Sequence, residues 1–460
     1  MIAGYAAAAL VAIPLVLAFF SPLLLICLAL STGALPLALG PEGWLASDFG
    51  RLDLYSIRVF GLWLASFLLI LPSFSRLLDY GLRFRWHVAF LVFAIMAMAW
   101  SPSLVYSARM VAKLTAPFLF LLLVMVSLSS WAALCWVERA MWCSGLLAVL
   151  LSLGAVVAGY SKINTLVGLG VPGLGPAGTS SHFAILAMLA LAAACTRSPR
   201  IVYALMALGF GGLVIAGFTR ITIAGLFLGA AVVLWMSSSS WIRWIFPLTG
   251  VASIPALFLL SDTFRRRMFK NQDSISLDLF TRDPSAVLDQ IHGSGRFDHW
   301  AYVIKTFFDP HPLFGSGIGT TQHYFYTHQL GLSVIHSEYV RLLAEVGLVG
   351  IVLLLLAFVA YMIRLRRIYR VAQTTRTKTY ALAGLGSLVV YLVFMATDNA
   401  IDYVTSSGIF AFCLIAMTEK ARDLELAQED VERLQPASLN REPAEPVCAV
   451  PHRRYPILAG

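Results

Sequence analysis

The feature that most constrains this chain is a succession of apolar runs, each about as long as the roughly 20 residues that a membrane-spanning helix requires. They lie near 3–20, 22–39, 57–74, 87–100, 114–130, 141–159, 182–196, 201–218, 221–237, 242–260, 347–363, 380–396 and 404–419, which predicts about 12 or 13 spans. Composition agrees: 59% of residues are hydrophobic and 12% charged, with mean hydropathy +0.81, whereas soluble domains carry about 25% charged residues. The expectation is an all-α polytopic membrane protein. No repeat of fixed period is visible, which weighs against the repeat-built transporter folds. The N-terminal run lacks a basic leader and reads as a membrane helix rather than a cleaved signal peptide.

Basic residues orient the spans. The segment 364–378 carries Arg364, Arg366, Arg367, Arg370, Arg376 and Lys378 between two apolar runs, so it is expected on the cytoplasmic side. Counting spans back places the basic segments 197–200 and 76–85 on that side as well, and the stretch 261–346 on the other. The chain thus divides into a helix bundle (1–260), a large non-cytoplasmic loop (261–346), C-terminal spans (347–420) and a cytoplasmic, partly disordered tail (421–460). The net charge of +9 belongs to a membrane protein with arginines inside or an anionic ligand outside; nucleic acid is not expected.

The loop holds six of the nine histidines and the cluster Arg265, Arg266, Arg267, against the positive-inside tendency. Four of its elements and neighbours could carry chemistry. In HSEYVRLLAEVGLVG (336–350), Glu338, Arg341 and Glu345 follow at helical spacings of three and four. They read as a salt-bridged ladder that lets a polar helix approach the bilayer in support of the site. His336 stands at the helix start, outside that stripe; lone histidines there are more often plain surface residues. In SGRFDHW (294–300), Arg296 is expected to open a helix whose N-terminal amides favour an anion. In PLFGSGIGT (312–320), Gly315, Gly317 and Gly319 could bring backbone amides against a glycan or oxyanion, although such runs occur in any tight loop. Arg220, in GFTRITIAG, falls at the outer end of a span, where a charge needs a cavity or a partner.

The loop has no DxD pair, the chain has no P-loop or HExxH helix, and the i, i+5 spacing of His323 and His328 does not place both on one helical face. No metal and no cofactor are expected. Arginine clamps diphosphate oxygens bidentately, and histidine can take a proton from a hydroxyl near neutral pH. Outside the cytoplasm an activated sugar has to arrive on a lipid diphosphate, where arginine can stabilise the departing group in place of a metal.

SGRFDHW, PLFGSGIGTTQHYF and HSEYVRLLAEVGLVG, in that order and followed by apolar spans, resemble the O-antigen ligase and polymerase superfamily, and GFTRITIAGLF is similar to its Ser-Arg element with Thr219 for serine. The resemblance implies a GT-C-like, metal-independent, inverting glycosyltransferase of the bacterial inner membrane, active on the periplasmic face and fed by undecaprenyl-diphosphate-linked glycan. By that resemblance Arg220 and Arg296 bind the donor diphosphate and His336 activates the acceptor hydroxyl; Arg265, Arg266 and Arg267 are candidates without a firm motif. The stretches 100–114 and 396–403 look more like the polymerase branch, which joins repeat units into exopolysaccharide or O-antigen. The ligase branch, which transfers the glycan to lipid A core or protein, is the alternative. A lipid-glycan flippase is the reading from another class, and a chain-length regulator and flippase are candidate partners. Asp398 is placed either to interact with the site or to cap its helix.

Overall fold

The computed structural model describes residues 16, 21–33, 54–157, 175–217, 219–237, 296–328 and 335–434. Within them the structure is helical, without strands. The principal helices are α1 (Pro22–Ser31), α2 (Leu54–Ile70), α3 (Phe74–Arg83), α4 (Arg85–Met96), α5 (Leu104–Ser127), α6 (Trp131–Val157), α7 (Gly175–Thr196), α8 (Arg200–Ala216), α9 (Arg220–Ser237), α10 (Arg296–Val303), α11 (Thr320–Thr327), α12 (Glu338–Val371), α13 (Thr375–Thr397) and α14 (Ile409–Leu434).

Seven helices are long and apolar enough to cross a membrane, or eight if the bent pair Arg58–Ser73 and Ser75–Arg83 forms one span. Three shorter apolar helices, Pro22–Ser31, Arg85–Trp100 and Arg200–Ala216, fall on further expected runs. The run near 242–260, and that near 3–20 apart from residue 16, lie outside the described residues, as do Arg265, Arg266 and Arg267. Several boundaries differ from expectation: α6 begins at Trp131, about ten residues before its run, and α12 continues to Val371. Helix α5 begins at Leu104, about three turns before the apolar run, because its early lysine, Lys113, has an acidic partner in Asp402. Helix α14 continues to Leu434, into the segment expected as a tail. Its polar turns are bonded to neighbours: Asp423 to Arg83 at 2.9 Å and Glu425 to the Thr374 amide at 2.8 Å.

Helix α13 is the axis of the molecule. Glycines let α9 lie against it: a Cβ on Gly225 would meet the Val390 carbonyl at 3.3 Å, and one on Gly229 the Gly386 carbonyl at 2.8 Å. As residue numbers rise on α9 they fall on α13, so the two run antiparallel. Arg220, just over one turn before Gly225, therefore sits at the Thr397 end of α13. Small residues allow this close approach where lipid tails supply no hydrophobic drive for helix association.

The three basic segments share the opposite end. Arg83 pairs with Asp423, Arg364 with Glu419, and Arg197 with Glu138 at 2.5 Å, while the Arg197 Nε donates to the Thr379 hydroxyl at 2.9 Å. The 23 residues of α13 separate that end from Thr397 by about 34 Å. Replacing Gly229 with valine is expected to force α9 from α13 and to cost about 1–3 kcal/mol. Thermal unfolding of the purified protein in detergent measures it, and an unchanged midpoint would contradict this packing.

Candidate active site

At the Thr397 end the long helix α12 is broken. Gly347 has φ 65 and ψ −167, so a polar helix, 338–346, ends there and the apolar helix that follows starts afresh. A break in a helix leaves carbonyls on one side and amides on the other without partners. The turn 312–317 supplies both. The amides of Ser316 and Gly317 donate to the carbonyls of Ala344 and Glu345 at 2.9 and 3.0 Å, and the carbonyls of Pro312 and Leu313 accept from Leu348 and Val349 at 2.9 and 3.1 Å. The fit leaves no room for a side chain: a Cβ on Gly315 would lie 2.4 Å from the Glu345 carbonyl, and one on Gly347 2.4 Å from that of Leu313. Both also have positive φ, which glycine adopts freely.

The amides expected to face a ligand are thus given protein acceptors. That of Gly315 bonds to the His311 carbonyl at 2.9 Å, that of Gly317 to the Glu345 carbonyl, and that of Gly319 to the Glu345 carboxylate at 2.8 Å. The Thr321 hydroxyl bonds to the other Glu345 oxygen. The amides of Gly315, Gly317 and Gly319 are thus engaged in the scaffold.

The charges of the polar helix also face inward. Glu338, Arg341 and Glu345 are buried, so the expected pairing of Glu338 with Arg341 lies inside the protein, while Glu345 bonds to Gly319 and Thr321. Glu338 pairs with Arg341 at 2.5 Å and accepts from the Ile401 amide at 3.0 Å. Arg341 reaches Asp402 at 3.4 Å, and Asp402 pairs with Lys113 at 2.7 Å. Polar residues can occupy this depth because each finds an opposite charge or a backbone partner. Lys113 and Asp402 were not among the expected site residues. They lie in the two stretches 100–114 and 396–403, which only the fold brings together.

Residues 397–402, from the end of α13 towards α14, form a corner on which two of the expected catalytic groups, Arg296 and His336, converge. The Arg296 guanidinium donates to the Thr397 carbonyl at 2.6 Å. His336 donates its backbone amide to the Asn399 side chain at 3.2 Å, and its Nδ1 lies 3.8 Å from the Asp398 carboxylate. The His336 side chain is 41% exposed and has φ 54, an uncommon conformation held by those contacts and by the following Ser337, which caps the helix. Trp300, one turn beyond Arg296 on α10, donates its indole N–H to the Ile335 carbonyl at 2.9 Å, tying the Arg296 helix to the residue before His336. Asp398 also accepts from the Asn399 amide at 2.8 Å, so it shapes the corner as well as facing the histidine. Thr219, next to Arg220, bonds to Ser180 on α7 at 3.4 Å, which fixes the start of α9 against the bundle.

The arrangement brings together an imidazole, a carboxylate 3.8 Å from it and a guanidinium from a separate helix, with a second arginine carried at the same end of the bundle. Among the described residues no group of three or more His, Cys, Asp or Glu is placed to hold a metal ion.

Residues 203–355 match the family model described as O-antigen ligase, in keeping with the resemblance carried by the motifs. The matched range contains Arg220, Arg296 and His336 and ends just beyond the Gly347 break; Lys113, Asp398 and Asp402 lie outside it. No curated protein matches the chain.

Glu345→Ala is expected to orphan the Gly319 amide and the Thr321 hydroxyl, at about 1–3 kcal/mol for each donor. Glu345→Gln retains an acceptor and is expected to lose less. Unfolding midpoints of the two variants decide it, and equal stability of Glu345→Ala and the native chain would remove Glu345 from the scaffold.

Proposed function

We propose that this protein, with its O-antigen ligase or polymerase type of function, is an inverting glycosyltransferase of the bacterial inner membrane. It polymerises undecaprenyl-diphosphate-linked oligosaccharide repeat units into exopolysaccharide or O-antigen on the periplasmic face. The observation that carries the reading is the state of Arg296. It is held through one bond to the Thr397 carbonyl, and among the described residues no carboxylate pairs with it, although it sits on the corner that carries His336. A fixed guanidinium that keeps its charge and further N–H groups suits a diphosphate. The three basic segments at the far end support a cytoplasmic assignment for that end, with the site periplasmic and α14 leading to a cytoplasmic C-terminus.

In this reading the acceptor hydroxyl gives its proton to His336 as its oxygen attacks the anomeric carbon. The bond from that carbon to the diphosphate oxygen breaks, and the electron pair leaves with the lipid diphosphate. Asp398, behind Nδ1, stabilises the imidazolium and leaves Nε2 to face the acceptor. Arg220 and Arg296 stabilise the charge growing on the leaving group, a role in which Arg265 and Arg266 could join. No metal takes part. A chain-length regulator and a flippase are the proposed partners.

The family description favours a second reading, transfer of the finished glycan to lipid A core or protein. Reconstitution with undecaprenyl-diphosphate-linked oligosaccharide, with EDTA present, tests both. A ladder of repeats identifies polymerisation; a single addition to lipid A core identifies ligation. Arg296→Ala, Arg220→Ala and His336→Ala are each expected to lower turnover by on the order of 10²–10³-fold with normal expression. Undiminished turnover of His336→Ala would remove it as the base, and loss of native turnover in EDTA would overturn the metal-free mechanism.

A further inference from the structure

The two stretches that resemble the polymerase branch, 100–114 and 396–403, are far apart in the chain, and the fold joins them. The join is an ion pair, Lys113 Nζ to Asp402 Oδ1 at 2.7 Å. Its position in the corner is particular. One end of the corner, Thr397, is the last residue of the rigid helix α13. The other end, Asp402, is fixed by side-chain bonds to Lys113 on α5 and Arg341 on α12. Between these two anchors lie Asp398 and Asn399, which face His336, while Thr397 itself holds Arg296. The Asp402 amide bonds back to the Asn399 carbonyl at 2.9 Å, so displacement of Asp402 is passed directly to Asn399.

We infer that Lys113 and Asp402 are positioning residues for glycosyl transfer: their ion pair clamps the far end of the corner and thereby sets His336 against Asp398 and Arg296. The two residues act through the corner, not on the substrate. Arg341 alone does not replace the clamp. It lies 3.4 Å from Asp402, is shared with Glu338 at 2.5 Å, and belongs to the helix that the corner has to be positioned against. Lys113, on α5, is the link to a separate part of the bundle.

The inference rests on the transferase reading, and its test separates the two. Lys113→Met suits the purpose, because Lys113 borders a cavity of about 20 Å³ shared with His87, Leu114, Met395 and Ile401, where an apolar side chain of similar length is tolerated. With the full chain in vesicles and undecaprenyl-diphosphate-linked oligosaccharide as donor, Lys113→Met is expected to lower kcat by about 10–100-fold, as a displacement of about 1 Å would, with donor KM within about threefold. Lys113→Arg restores most of the rate, and Lys113→Met with Asp402→Asn is no worse than Lys113→Met alone. A readout free of activity is the rate at which diethyl pyrocarbonate modifies His336, followed by mass spectrometry. It should change several-fold in Lys113→Met and return in Lys113→Arg. If native protein shows no transfer, the functional reading fails while the labelling still decides the positioning role. Native kcat and native labelling in folded Lys113→Met would overturn the inference, as would a rise in KM alone, which would make Lys113 a ligand contact. Should Lys113→Met not fold, the charge-free double variant is read by the same two criteria.

Discussion

The structure of the candidate site depends on how the break at Gly347 is sealed. A helix that stops at the edge of a hydrocarbon layer exposes polar backbone where little water is available to satisfy it. Here the turn 312–317 lies in the gap, donating to the helix that ends and accepting from the helix that begins. The seal requires backbone-to-backbone contact, which accounts for glycine on both sides of it, at 315 and 347. Because it is sealed, the polar helix 338–346 can be a separate short element, free of the direction of the span below. That freedom lets its N-terminus carry Ser337 and His336 to the corner at 397–402.

Around this seal the charges alternate: Glu338, Arg341, Asp402, Lys113. Withdrawing four charges from water is unfavourable, and Coulomb attraction offsets it only where geometry is good and remaining valences are filled. Glu345 meets that condition by accepting from Gly319 and Thr321, whereas Glu338 accepts from the Ile401 amide through Oε1 and leaves Oε2 to the Arg341 charge alone. An apolar core could stabilise the same elements as well. Charges differ in being directional: each pair joins a different element, α12 to the corner and the corner to α5, so the set specifies one relative placement of three segments.

Much of this was legible in the sequence, and the limits have physical causes. Apolar runs report burial in lipid or protein, and every run within the described residues is helical. The helical state of 296–303 agrees with the helix expected from Arg296 onward. The direction in which Glu338, Arg341 and Glu345 face was not legible. A stripe of charge at spacings of three and four is equally consistent with solvent and with a polar interior, and the choice rests on Thr321, Ile401 and Asp402, which come from other parts of the chain. The inward use of the glycine amides was hidden for the same reason: their acceptor, Glu345, is 26 residues further on. Lys113 was concealed by its neighbours, since hydropathy begins the span after it while its partner carboxylate lets the helix begin before it.

Arginines whose contacts are known at the two ends of the bundle are held in different ways. At the basic end Arg83, Arg197 and Arg364 each have a carboxylate, so their role is met within the chain. At the other end Arg341 and Lys113 are likewise matched, and they are the residues that hold the corner. Arg296 differs from these in being oriented by a carbonyl, which fixes its direction without neutralising it. A guanidinium stabilised in that way at the rim of a low-dielectric bundle favours an anion more strongly than one already paired. His336 stands on the same corner, 3.8 Å from the Asp398 carboxylate. Arginine and histidine therefore meet at residues 397–402, where the carbonyl that orients the arginine and the side chains that face the histidine are consecutive in the chain.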